Sequence, residues 1–257
     1  MTTFGVDISH YQGQVNFDLL VADGSVEFCG MKAWEDGQAD YTFETNRSQC
    51  RRVGLPCFGY VYMHASDTDD QIQRCFQTLA DTVIALDWEA PDCGSNTVER
   101  WMDAYERHAQ RQGLAYYGLY PPQPATSRMS LWPRWFPEYT DPTNLKLPPW
   151  LGQPNPDWRN YYAIWQFSDK VIVDGISGPC DGNQLSPAIS IDAFKHWLDT
   201  GNFPPIPPLP EIPILPPAEM QLALLLQGYS VGPSGVDGIW GPDSADALAR
   251  YYTDNPG

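Results

Sequence analysis

The sequence is short of positive charge: in 257 residues, 15 lysines and arginines face 32 aspartates and glutamates, a formal net charge of −17. Such a surface, with no Lys/Arg-rich run, repels a phosphate backbone, so nucleic-acid binding is disfavoured. No stretch approaches the ~20 consecutive apolar residues that cross a bilayer, and no membrane partner is expected. The opening MTTFGVDISHY has neither a basic segment nor an apolar run. It reads as a domain starting on a strand rather than a secretion signal. The cysteines at 29, 50, 57, 75, 93 and 180 form no CxxC pair, and the four histidines are not spaced around them as zinc ligands. No metal site is expected, and without a secretion signal a disulfide framework is not expected either. Cys29 and Cys57 lie in apolar strand-like runs and read as buried thiols. Pairing of Cys50 with Cys57 stays open.

Proline and aromatic residues, by contrast, are plentiful. Residues 203–217 read FPPIPPLPEIPILPP, a density that removes backbone donors and favours an extended, semi-rigid linker. It divides the chain into a large domain, 1–202, and a short module, 218–257. Within the large domain FGVDIS, VEFCGMKA, PCFGYVYM, TVIALDWE, LAYYGLY and YYAIWQF read as strands. Helical periodicity runs from Asn96 to Gly113, with Val98, Trp101, Met102, Tyr105 and Ala109 on one face. Asn96 is the expected N-cap, Glu99 its capping-box partner and Gly113 the left-handed stop. Further helices are expected over Phe43–Val53, ended by Gly54, and after a Ser190 cap, with Ile191, Phe194, Trp197 and Leu198 inward. Alternation of this kind predicts an α/β fold on a parallel sheet, open or closed into a barrel, with functional side chains at the C-terminal strand ends.

Acidic residues gather at those ends: Asp7 in GVDIS, Glu35 after MKAW, Asp87 and Glu89 in IALDWE, and Asp181 after GISGPC. In a strand, residues i and i+2 share a face at a spacing of about 6.6 Å, so Asp87 and Glu89 point together and Trp88 points away. Two close carboxyls resist double ionisation, and one pKa should rise. An acid kept protonated near neutrality can protonate a glycosidic oxygen beside a charged partner. A lone DxE also ends many ordinary strands. Here the buried character of TVIAL brings the pair out of the core, and the same half is dense in rings such as Trp34, Tyr60, Tyr62, Tyr117 and Trp165. Rings of this kind stack on sugar faces, and equally fill cores.

The ordered set GVDISHYQG, MKAWEDG, LPCFGYVYM, IALDWE, WFPEY and IWQFSD…GISGPCDGN resembles glycoside hydrolase family 25, the muramidase-type lysozymes, from about Phe4 to Asn183. The resemblance implies a flattened, TIM-like β/α barrel that cleaves the β-1,4 bond between N-acetylmuramic acid and N-acetylglucosamine. Carried over by motif, it makes Glu89 the acid/base and Asp87 its companion, with Asp7 and Asp181 as further active-site acids. Tyr60, Tyr62, Tyr117 and Trp165 would line the sugar groove. Glu35 matches an acidic position of the family, although Trp34 and Asp36 alter that motif to KAWEDG. Two mechanisms stay open. In one the substrate's N-acetyl oxygen is the nucleophile and Asp87 orients it; in the other Asp87 or Asp181 activates water. A chitinase-like DxxDxDxE motif fails, because Thr82 and Ala85 stand where it wants aspartates.

In the short module, LQGYSVGPSGVDGIWGPDSADAL is similar to peptidoglycan-binding modules fused to wall hydrolases. Met220, Leu222, Leu225 and Leu226 are expected to form an apolar helix face there, and Asp243 to cap a second helix. The expectation is therefore a monomeric, cofactor-free muramidase whose partner is bacterial peptidoglycan. Its expected place is that of a phage endolysin, made in the host cytoplasm and reaching the wall after the membrane is permeabilised. A wall-binding lectin that keeps the barrel without cleaving is the alternative, and a structural virion component a third.

Overall fold

A computed structural model of the protein describes residues 3–79, 82–118, 126, 128–129, 132–137, 139, 162–186, 189–201, 217–226, 228–237, 243–244, 247 and 250. The chain forms two compact units, the described residues of the first ending at Gly201 and those of the second beginning at Pro217. Apart from Pro217, the proline-rich stretch lies outside the described residues.

The first unit carries strands β1 (Phe4–Ile8), β2 (Phe28–Glu35), β3 (Gln38–Ala39), β4 (Cys57–Tyr62), β5 (Ile84–Asp87), β6 (Leu114–Tyr116), β7 (Arg134–Pro137), β8 (Tyr162–Val171) and β9 (Cys180–Leu185). Eight of them close into a barrel, because β1 pairs with β2 on one side and β9 on the other. The strands run parallel from β1 through β2, β4, β5, β6 and β7 to β8. Strand β9 is antiparallel to both neighbours, and β3 is a short hairpin partner on β2. The sheet is parallel, as expected from the sequence, in all its barrel strands but β9. Residues 172–179 return the chain directly from β8 without a crossover helix, and a short return leaves only the antiparallel direction.

Helices α1 (Phe17–Leu20), α2 (Phe43–Val53), α3 (Asp69–Leu79), α4 (Ser95–Ala109) and α5 (Ile191–Thr200) belong to this unit. Strand alternation sorts the core into two layers. Phe28, Phe58, Ala85, Leu114 and Trp135 fill the barrel together with Phe194 and Trp197 of α5. Met31, Val61, Leu86 and Ala115, of opposite parity, pack outward with Val98, Trp101, Met102 and Tyr105 of α4. Phe194 meets Phe28 at 5.3 Å and Phe58 at 6.3 Å, ring centre to ring centre. Both partners lie within the first two residues of their strands, so α5 plugs the N-terminal end of the barrel and leaves the C-terminal end for chemistry.

Helix α2 ends at Gly54, with φ 73°, and the Ser190 hydroxyl caps α5 by accepting from Ala193 N at 3.1 Å, both as expected. Helix α4 departs from its expected bounds. It starts at Ser95, with Gly94 as an N-cap that offers no side chain, and Gln110 takes the left-handed position (φ 53°). Gly113 serves close packing instead: a Cβ there would lie 2.2 Å from the Ile84 carbonyl oxygen. All six cysteines are free, so Cys50 and Cys57 are not joined.

In the second unit, α6 (Pro217–Leu226) buries Gln221 and Leu224, while Leu222, Leu225 and Leu226 are exposed. This corrects the expected apolar face. The Gln221 amide donates to Asp237 Oδ1 (2.9 Å) and Ser244 Oγ (3.0 Å), and these bonds turn the 221/224 side inward. Most of the second expected helix lies outside the described residues, although Asp243, Ser244, Ala247 and Arg250 are helical.

Candidate active site

Asp87 is the last residue of β5, and Glu89 follows two positions later on the same side. Trp88 points the other way into the core, its indole donating to the Cys93 carbonyl at 2.7 Å. Asp7 lies near the end of β1, directly opposite Asp181 of the antiparallel β9. Four carboxyls thus meet at one end of the barrel, and each is held above the ordinary carboxylate range. Burial raises Asp87 strongly, the nearby Glu89 charge adds to it and Lys32 opposes it. Burial also raises Glu89, against hydrogen bonds from Tyr116 and Asp87. The two therefore retain a proton between them to higher pH than an exposed carboxyl would. Asp7 is raised by burial, while Asn183 and Gln166 favour its charged form. Burial and the Asp7 charge push Asp181 up to about 8.

Gln166 of β8 joins these groups. Its amide nitrogen donates to Asp7 Oδ2 (2.9 Å) and Asp181 Oδ2 (3.4 Å), and its oxygen accepts from Tyr116 (2.7 Å) and Tyr139 (3.0 Å). Tyr116 also approaches Glu89 Oε1 at 3.4 Å. Asn183 donates to Asp7 at 2.7 Å and is itself oriented by the Trp135 indole at 2.8 Å. Trp135 packs against Tyr60 (5.8 Å) and Tyr116 (4.7 Å), which floors the site with rings. Among the described residues, buried Asp87 Oδ1 has no hydrogen-bond partner.

Of the residues expected in the groove, Tyr60 and Tyr62 stand beside the acids, whose charges raise both phenols along with burial. Glu35 ends β2 and pairs with the buried Lys32 at 2.5 Å, and the Lys32 ammonium lies 5.2 Å from the Tyr62 ring centre. Tyr117 is not brought to the acids. It is buried in the outer layer against Trp88 (6.0 Å), with the Arg134 guanidinium 4.1 Å from its ring centre. Trp165 is buried beside Phe167, on the opposite parity to Gln166. Tyr116 takes the place expected of Tyr117. Sequence reasoning gave no role to Gln166, Asn183, Lys32 or Tyr116. Among the described residues Glu35, Asp36 and His64 also converge, but a salt bridge already pairs Glu35 with Lys32, and His64 Nε2 lies 3.2 Å from Asp36 Oδ1.

Comparison with known proteins gives this geometry a context. The family model for Glycosyl hydrolases family 25 matches residues 6–176. The autolytic lysozyme of Clostridium acetobutylicum is 26% identical over 260 residues, covering 97% of this chain and 72% of that protein. The spore cortex lytic enzyme SleM of Clostridium perfringens superposes with a TM-score of 0.59 at 26% identity, over 74% of this chain and 68% of its own. A muramidase from Trichobolus zukalii shares the fold with a TM-score of 0.61 at 24% identity, over 78% of this chain and 100% of its own.

Proposed function

From the premise that this chain belongs to Glycosyl hydrolases family 25, and so is a lysozyme of the muramidase type acting on peptidoglycan, we propose that Glu89 is its general acid and base and Asp87 its substrate-orienting carboxyl. The observation that carries the assignment is the proton-retaining Asp87–Glu89 pair at the open end of the barrel, with Asp87 Oδ1 buried and unpartnered among the described residues. An unmade buried hydrogen bond costs about 1–3 kcal/mol, and an acetamide N–H of the substrate would satisfy it. Asp87 would then turn the N-acetyl oxygen toward the anomeric carbon while Glu89 protonates the leaving glycosidic oxygen. Water deprotonated by Glu89 would complete hydrolysis. Asp7, whose charged form the hydrogen bonds from Asn183 and Gln166 favour, would stabilise the positive charge that develops on the sugar ring. In the free site the hydrogen bonds from Gln166 and Asn183 fix Asp7 in place.

Digestion of purified peptidoglycan followed by borohydride reduction tests the reaction itself. Newly reduced muramic acid is the expected product; newly reduced glucosamine would mean that the other glycosidic bond is cut. The cellular role proposed with this chemistry is host lysis by a phage endolysin. Production inside a susceptible host should then be harmless until the membrane is permeabilised. Lysis without that step would contradict the role and leave the chemistry intact.

A further inference from the structure

Tyr11 and Tyr41, each 79% exposed, are the most exposed large apolar side chains among the described residues, and both rings lie near that of one histidine. The His10 ring centre lies 4.2 Å from that of Tyr11 and 5.7 Å from that of Tyr41. Exposed rings gathered in this way mark a binding surface more often than isolated ones do. The scaffold beneath them is fixed. Asp40, with its side chain 1% exposed, accepts from His10 N (3.2 Å) and Nδ1 (2.6 Å) and from Thr42 N (2.9 Å) and Oγ1 (2.6 Å). One carboxylate thus ties the turn after β1 to the turn before α2. Ser9 and Gln12 brace the same turn, Tyr11 N donating to Ser9 Oγ (3.2 Å) and Ser9 N to Gln12 Oε1 (2.8 Å). Rings held in place before binding lose little conformational freedom when a ligand arrives.

Position ties the rings to the reaction. His10 follows Asp7 by three residues at the same end of the barrel. The Lys32 ammonium lies 5.9 Å from the Tyr11 ring centre and 5.2 Å from that of Tyr62, so a single side chain links the outer rings to the carboxyl pocket. Aromatic faces carry partial negative charge and present apolar area, which complements the weakly positive C–H faces of a pyranose ring. The phenol and imidazole edges remain available to sugar hydroxyl and acetamide groups.

We propose that Tyr11, His10 and Tyr41 form an outer carbohydrate subsite, stacking on N-acetylhexosamine rings of the glycan strand beyond the bond being cut. The inference rests on the muramidase reading, since it takes the same polymer as ligand. The subsite lengthens the groove along one wall and makes the enzyme favour long strands over short fragments.

Binding without turnover provides the test. Full-length Glu89→Gln protein is titrated with soluble glycan strands and with a disaccharide fragment, with and without Tyr11→Ala and Tyr41→Ala together. The double change is expected to weaken long-strand binding about tenfold, leave disaccharide binding the same, and be reversed by Tyr11→Trp with Tyr41→Trp. Both side chains are exposed, so folding should not suffer, and an unchanged thermal midpoint checks this. Unchanged long-strand affinity, or an equal loss on both ligands, overturns the subsite. Since the readout is binding, an intact protein that cuts no glycan would count against the muramidase reading and leave this result standing.

Discussion

At the scale of single residues, the site depends on one neutral amide as much as on its acids. Gln166 uses both amide hydrogens on carboxyls and both oxygen lone pairs on phenols. Gln166→Leu should therefore strand several buried groups at once. A loss of about 2–4 kcal/mol in urea unfolding is expected, with a fall in turnover; a stability change below about 0.5 kcal/mol would show that the network carries no weight. The charged members of this site were legible in the sequence, because DWE, GVDIS and the acid after GISGPC carry ionisable groups at strand ends. Gln166 and Asn183 carry no charge and do not stand out in sequence. Tyr116 and Tyr117 adjoin in the run LAYYG, where no alternation of polar and apolar residues says which ring turns inward. Register fixed that, placing Tyr116 opposite Asp87.

Elements that hold the site open do so from its far end. Phe194 is fully buried between Phe28 and Phe58, and Phe194→Ala should cost about 3–5 kcal/mol by calorimetry. Ser190→Ala, which removes only the cap of the same helix, should cost about 1 kcal/mol. Similar losses for both would mean that α5 is not a plug. The sequence placed α5 and α2 well because each has a local stop or start signal, Ser190 and Gly54. It misplaced the end of α4 because Gly113, which looks like a helix stop, is fixed by the Ile84 carbonyl of the neighbouring strand. Helix α3 went unrecognised although Ile72, Cys75, Phe76 and Leu79 repeat at helical spacing and Thr68 and Gln71 form a capping box before it, Thr68 N donating to Gln71 Oε1 (2.8 Å) and Gln71 N to Thr68 Oγ1 (3.3 Å). In α6 nearly every residue is apolar, so periodicity could not choose a face; Gln221 and its polar partners did.

Across the whole molecule, gathering raised carboxyls at one end of the barrel sets a pH dependence. A carboxyl whose pKa rises on folding binds its proton more tightly in the folded state, so stability falls as pH climbs through that interval. For Asp181 the interval runs from 3.8 to about 8, and Asp7, Asp87 and Glu89 act in the same direction. Asp40 is held below the usual range, and its opposing contribution changes at lower pH. The thermal midpoint should therefore drop between about pH 5 and pH 8, and Asp181→Asn should flatten that drop. A variant with the same slope as the intact protein would place the titration elsewhere. Activity should likewise decline on the alkaline side as the Asp87–Glu89 pair gives up its shared proton.

The most direct measurement compares release of muramic acid reducing ends from purified peptidoglycan by the intact protein and by Glu89→Gln. The substitution keeps the side chain's shape and removes its titratable proton. A fall of about 100-fold or more, with the thermal midpoint kept or raised, is the predicted result. Equal release by the two proteins would contradict the assignment of Glu89 and direct attention to Asp181 and Asp7.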